Sequence, residues 1–104
     1  ERVRRLCRKA INPINSILKS RLSIDSLNIK TAAVCVYHEM LSEASKQLKS
    51  SGVHLAAVST GFPAGLSPLP LRIEEIKYSV AAGADEIDIV ISRRHVLEGN
   101  WKTL

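Results

Sequence analysis

Three short apolar runs, each followed by a stretch with helical spacing, constrain this chain more than any other feature. The runs are Thr31-Ala-Ala-Val-Cys-Val-Tyr37, Leu55-Ala-Ala-Val-Ser-Thr60 and Glu86-Ile-Asp-Ile-Val-Ile91. Short, nearly continuous apolar character is what a strand covered on both faces requires. After the first run, residues 39–50 place Met40 or Leu41, Ala44 and Leu48 on one helical stripe. Glu43, Lys46 and Lys49 fall outside it, and Gly52 is the expected C-cap. A loop rich in turn formers, residues 61–70, separates the second run from a helix whose inward face is predicted to be Ile73, Ile76 and Val80, closed by Gly83. Ser92 is the predicted N-cap of a last short helix through Leu97, ended by Gly99.

The order is strand, helix, strand, helix, strand, helix, with a repeat of about 25–30 residues, so the class is α/β with parallel strands joined by right-handed helical crossovers. Three parallel strands alone leave two unpaired edges. A (β/α)8 TIM barrel typically needs about 250 residues, so the expectation is about three consecutive strands of such a barrel with their helices. Upstream, residues 2–11 read as an amphipathic helix carrying Val3, Leu6 and Ala10, closed by Asn12-Pro13. Ile14, Ile17, Leu18 and Leu22 suggest a short helix before a polar loop. The expected organisation is one partial barrel domain over residues 1–104, with a helical N-terminal segment (1–30) and three β/α units (31–104).

With 45% hydrophobic and 24% charged residues, the composition is that of a globular domain and excludes disorder. No apolar run approaches the roughly 18 residues of a membrane helix, and no signal peptide opens the chain. It starts at Glu1 and stops in Trp101-Lys102-Thr103-Leu104, which reads as the interior of a longer protein. Cys7 and Cys35 are too few for a disulfide framework and lack zinc spacing, so a reducing, cytoplasmic setting is expected. Residues 1–30 hold eight basic side chains against two acidic ones, a net of +6; the rest hold seven against eight, a net of −1, together the chain's +5. A solvated helix face explains this cluster better than a nucleic-acid surface, because no aromatic residues interleave for base stacking.

Asp88 is the most informative single residue. Side chains alternate along a strand, so Ile87, Ile89 and Ile91 share one face while Asp88 and Val90 share the other. A carboxylate in an apolar strand must be paired or hydrogen-bonded. In a barrel, the isoleucine face would pack on helices and Asp88 would point into the lumen. It reads either as a catalytic group or as a structural carboxylate bonded to a neighbouring strand or a lysine. Cys35, on the face of Ala33 and Tyr37, reads either as a small buried hydrophobe or as a thiol lining an aldehyde site. The segment Thr60-Gly61-Phe62-Pro63-Ala64-Gly65 sits where barrel active-site loops lie, and serves either a tight turn or ligand contact. No His pair has metal-ligand spacing. A Schiff-base lysine needs a desolvated or cation-flanked amine. Lys9, Lys19, Lys46, Lys49, Lys77 and Lys102 fall in helical or polar stretches and Lys30 only precedes a strand, so none occupies a strand interior.

Residues 31–37, then Ala57-Val-Ser-Thr-Gly-Phe-Pro-Ala-Gly65, then Gly83-Ala-Asp-Glu-Ile-Asp-Ile-Val-Ile91, resemble the deoxyribose-phosphate aldolase family, particularly its animal form. Leu97-Glu-Gly-Asn-Trp101 and the helix Val3–Ala10 resemble the same family. The resemblance covers nearly the whole chain, and the chain covers under half of the family's length. It implies a (β/α)8 barrel that reversibly cleaves 2-deoxy-D-ribose 5-phosphate into D-glyceraldehyde 3-phosphate and acetaldehyde, in deoxyribonucleotide catabolism. The family is a class I aldolase using a lysine Schiff base, without metal or cofactor. By the same resemblance Asp88 matches the catalytic aspartate that works with a second lysine in proton transfer. Cys35 matches a cysteine on a site-lining strand, and Thr60 lies in the matching pocket segment. His38 stands where a proline commonly follows Cys-Val-Tyr. The family's Lys-Thr-Ser-Thr-Gly segment, second lysine, Gly-rich phosphate loop and opening Asp-Leu-Thr strand are not among these residues. The resemblance therefore implies a small phosphosugar and aldehydes as partners, a homo-oligomer at full length, no nucleic acid and no membrane, and no turnover by this chain alone. The alternative is a truncated, non-catalytic α/β module that binds another chain.

Overall fold

The computed structural model describes residues 1–104. The N-terminal segment forms α1 (Arg2–Ile11) and α2 (Ser16–Arg21), the latter capped by the Asn15 side chain, which accepts from the Leu18 N–H at 2.8 Å. Strand β1 (Ala33–Val36) leads through one 3-10 turn (His38–Met40) into α3 (Leu41–Leu48). Strand β2 (His54–Ser59) is followed by α4 (Leu69–Ala81), and β3 (Glu86–Ile89) by α5 (Arg93–Leu97). The strands are parallel, in the order β1-β2-β3. The alternation of the sequence is the alternation of the fold.

The register pairs Val34 with Leu55, Val36 with Ala57, and Ala57 with Ile87, so these residues share one face of the sheet. There they meet Cys7 and Ala10 of α1 and Leu41, Ala44 and Leu48 of α3 in a single core, with Val3, Ile11 and Ile87 at its margin. Ala33, Cys35, His54, Ala56, Val58, Glu86 and Asp88 point to the opposite face, which no helix covers. The molecule is consequently a slab of 51 × 29 × 20 Å in which only 15 of 104 residues are buried, because only one side of the sheet has a layer against it. Asp85 locks the start of β3: its backbone N–H donates to the Leu55 carbonyl and its carboxylate accepts from the Leu55 N–H, both at 2.8 Å.

Several sequence expectations change in detail. In α1 the inward residues are Val3, Cys7 and Ala10, and Leu6 is 46% exposed, turned toward the free edge of β1. In the first crossover Leu41, not Met40, enters the core, because the 3-10 turn rotates Met40 outward. Helix α3 ends at Leu48, and Ser50 is the first residue beyond it in left-handed backbone (φ 61°), so Gly52 serves the following turn and not the cap. In α4 the buried residue is Ser79, while Ile73 and Val80 are exposed. Ile73 borders the gap between α4 and the end of β3, which α5 touches only through His95 and does not fill. For the same reason Ile87 packs on the core while Ile89 and Ile91 remain about half exposed. The apolar stripe is real in each case; its covering layer is what differs.

Candidate active site

Apart from Ser59, which is buried on the helix-covered side, the uncovered face of the sheet carries the polar groups that the strands contribute. Asp88 on β3 pairs in register with Val58 on β2, and Cys35 on β1 with Ala56. Ala56 and Val58 are too short to separate the outer strands' side chains. The Cys35 Sγ therefore reaches across β2 to donate to the Asp88 Oδ2 at 3.7 Å. Desolvation at the sheet surface, then the negative charge and hydrogen bond of Asp88, then Glu86, push the Cys35 thiol above its ordinary pKa. Cys35 is thus held as a neutral donor to a carboxylate. This environment is the reverse of the electropositive one that activates a nucleophilic thiol. Sequence parity put Asp88 toward the lumen and left Cys35 either a small buried hydrophobe or a thiol lining a site; the structure brings the two together and leaves both exposed on the open face, so Cys35 is not buried.

Two further residues on this face escaped sequence analysis. The His54 Nδ1 lies 2.8 Å from Glu86 Oε1, one turn of the pleat below Asp88. Glu86 has the parity of Asp88, which is the signal that would have found it. No three His, Cys, Asp or Glu side chains come together as a metal site.

At the carboxyl ends of the strands, the loop after β2 closes over the sheet. The Tyr37 and Phe62 rings meet edge to face, with centroids 5.8 Å apart. Thr60 is buried and in left-handed backbone (φ 61°), an outlier for a β-branched residue. Its Oγ1 accepts from the Val90 N–H at 2.6 Å and donates its one hydrogen to the Ser59 carbonyl at 2.7 Å or the Val90 carbonyl at 3.0 Å. Glu75 of α4, another residue missed from sequence, accepts from the Gly61 N–H at 2.9 Å. His38 and the buried Ser79 hydroxyl, 3.2 Å apart, tie the end of β1 to α4.

The cavity bounded by Ile73, Ile76, Ile89, Ile91, Arg72 and His95, about 340 Å³, lies on the helix side of the sheet, opposite Asp88. It is the gap under the overhanging end of α4, and Thr60 and Val90 also border it. No lysine lies in any strand. The Lys30 Nζ donates to the Ser51 carbonyl at 2.7 Å, and Lys9 borders a 240 Å³ recess beside Cys35 at the β1 edge. Among the basic side chains of α1, Arg4 is bonded to Glu43 at 2.7 Å and Arg8 to Glu1 at 3.4 Å.

No protein-family model matches the chain. Deoxyribose-phosphate aldolase of Mus musculus is 49% identical over 98% of this chain, which covers 33% of that protein. Deoxyribose-phosphate aldolase of Homo sapiens is 46% identical over the same share of the chain and again 33% of its own length. Among solved structures, the aldolase QR15 superposes with a TM-score of 0.62 at 26% identity, covering 84% of this chain and 37% of the other. Over nearly its whole length the chain is homologous to deoxyribose-phosphate aldolases, and it spans about a third of the length of the curated relatives it matches.

Proposed function

We propose that these residues form part of a deoxyribose-phosphate aldolase that reversibly cleaves 2-deoxy-D-ribose 5-phosphate to D-glyceraldehyde 3-phosphate and acetaldehyde. The observation that carries this reading is the polar face itself: Asp88 sits on the side of the sheet that no helix covers, where a closed barrel has its lumen. Completion of the barrel by further strands would bury that face and raise the energetic weight of every charge on it. The partial barrel domain supplies the second, third and fourth strands in this reading, with the whole protein a homo-oligomer working in the cytoplasm. No helix of the chain is long and apolar enough to cross a membrane.

The chemistry assigned to these residues is limited and specific. A lysine from outside the chain forms the Schiff base with the sugar aldehyde, and a second lysine from outside neighbours it. Asp88 is the carboxylate between them. Its negative charge holds one lysine protonated and leaves the other free to act as nucleophile. It also relays protons as the carbon–carbon bond breaks and the enamine is protonated. Cys35 lines the pocket floor as a neutral donor that orients the Asp88 carboxylate, and Thr60 stands at its rim. Neither a metal nor a cofactor enters these steps.

The test is acetaldehyde release from deoxyribose 5-phosphate, followed in the full-length protein and in the 104-residue chain. Turnover is expected in the first and none in the second, which has no strand lysine. Full-length protein that releases no acetaldehyde overturns the reading.

A further inference from the structure

We propose that Thr60 is a positioning residue for Asp88, acting through the backbone of Val90. The inference rests on the reading of Asp88 as the proton-transfer carboxylate. It starts from the point where the β2–β3 ladder stops. Backbone pairing runs from Ala56 with Glu86 to Ser59 with Ile89 and goes no further, because the chain turns at Thr60 into left-handed backbone. Val90, two residues beyond Asp88 and on its face, is thereby left without a backbone partner on β2. The Thr60 hydroxyl replaces the missing rung. It accepts from the Val90 N–H at 2.6 Å and donates its one hydrogen to the Val90 carbonyl at 3.0 Å or the Ser59 carbonyl at 2.7 Å.

Three features make this more than a loop contact. Thr60 is buried, so water does not compete for the bond. A β-branched side chain in left-handed backbone is strained, and glycine would relieve the strain at once. What glycine cannot supply is the hydroxyl. Finally, the turn is held from its other side, where Glu75 accepts from the Gly61 N–H at 2.9 Å. Asp88 is therefore fixed both before and after its own position, by β2 through the ladder and by Thr60 through Val90. Its backbone is thereby held against sliding along the strand axis. Strain kept at a residue whose polar atom is fully used beside a catalytic group is the pattern of a site under positional constraint.

The experiment compares Thr60→Val, Thr60→Gly and Thr60→Ser in the full-length enzyme, by steady-state kinetics across pH and by thermal melting. Valine keeps the shape and loses the hydroxyl; glycine loses the hydroxyl and relieves the strain; serine keeps the hydroxyl. Both Thr60→Val and Thr60→Gly are expected to lower kcat by about 10- to 100-fold, with KM for deoxyribose 5-phosphate little changed, as for a reacting group displaced by up to an ångström. The same two variants are expected to move a limb of the kcat–pH profile, whereas Thr60→Ser keeps the profile of the unsubstituted enzyme. Glycine accepts the backbone freely, so Thr60→Gly carries the test where Thr60→Val does not fold. Unchanged kcat and pH profile in Thr60→Gly overturn the proposal, as does a loss in Thr60→Ser equal to that in Thr60→Gly. An unsubstituted enzyme without turnover, or an Asp88→Asn variant that retains it, overturns instead the reading on which the proposal rests.

Discussion

Gly65→Ala probes how tightly the loop after β2 is seated on the end of β3. Gly65 is buried, with φ +67°, and a Cβ built on it would lie 2.8 Å from Val90 Cγ1 and 3.1 Å from the Ile91 carbonyl oxygen. Two costs add. Left-handed backbone costs a residue with a Cβ about 1–2 kcal/mol. A carbon–carbon contact at 2.8 Å is roughly 0.7 Å inside the ordinary separation of about 3.5–4.0 Å. Val90 has a stiff χ1 and the Ile91 oxygen belongs to the backbone, so neither swings aside, and overpacking of this kind costs about 1–3 kcal/mol. The expected total is about 3 kcal/mol. Gly83 is the control: its φ is +97° and a Cβ there meets nothing within 4 Å, so only the backbone cost of about 1–2 kcal/mol applies. For a protein of barrel size, each kcal/mol lowers Tm by about 2–4 °C, which predicts losses of about 6–12 °C for Gly65→Ala and about 2–8 °C for Gly83→Ala. Differential scanning calorimetry of the two full-length variants reads the difference directly. Equal losses would refute the argument, because they would mean that the loop does not press on Val90.

Two other outcomes follow from the packing and the charges. Leu41→Ala empties a wholly buried position in the core and is expected to cost about 2–5 kcal/mol. Met40→Ala, at a residue 42% exposed, is expected to cost well under half of that in the same urea titration; equal losses would return Met40 to the core stripe. Because Asp88 disfavours the Cys35 thiolate, Asp88→Asn removes a charge that raises the thiol pKa and so moves the pH dependence of Cys35 alkylation to lower pH. The thiol does not return fully to its ordinary value, since desolvation and Glu86 remain. Peptide mass spectrometry distinguishes Cys35 from the buried Cys7, and an unmoved alkylation profile contradicts the contact.

How much of the site was legible depended on whether a residue's signal was local. Asp88 announced itself as a charge among isoleucines, but that it shares a face with Cys35 was decided by the register of the strands. Glu86 carried the same parity but sat at the strand's start, where a carboxylate is unremarkable. Glu75 had no signal at all, since it meets Gly61 only because α4 folds back over β2. Thr60 read as the end of a strand and the beginning of a turn; that its hydroxyl stands in for a rung of the ladder is a fact about Val90, which is 30 residues away.

The sequence by itself determined the kind and order of the elements, because apolar runs, helical stripes and turn formers act over a few residues at a time. It also determined that Asp88 stood on the face opposite its neighbouring isoleucines and Cys35 on that of Ala33 and Tyr37, since alternation is a property of any extended chain. Only the tertiary structure decided which stripes were covered. Ile73, Val80, Ile89 and Ile91 are as apolar as Leu41 and Leu55, yet they stay open because burial depends on a second layer that these residues do not supply. Only the fold, too, brought Cys35 within reach of Asp88 and Thr60 within reach of Val90, for such distances depend on register, and register is set by the packing of whole strands and helices.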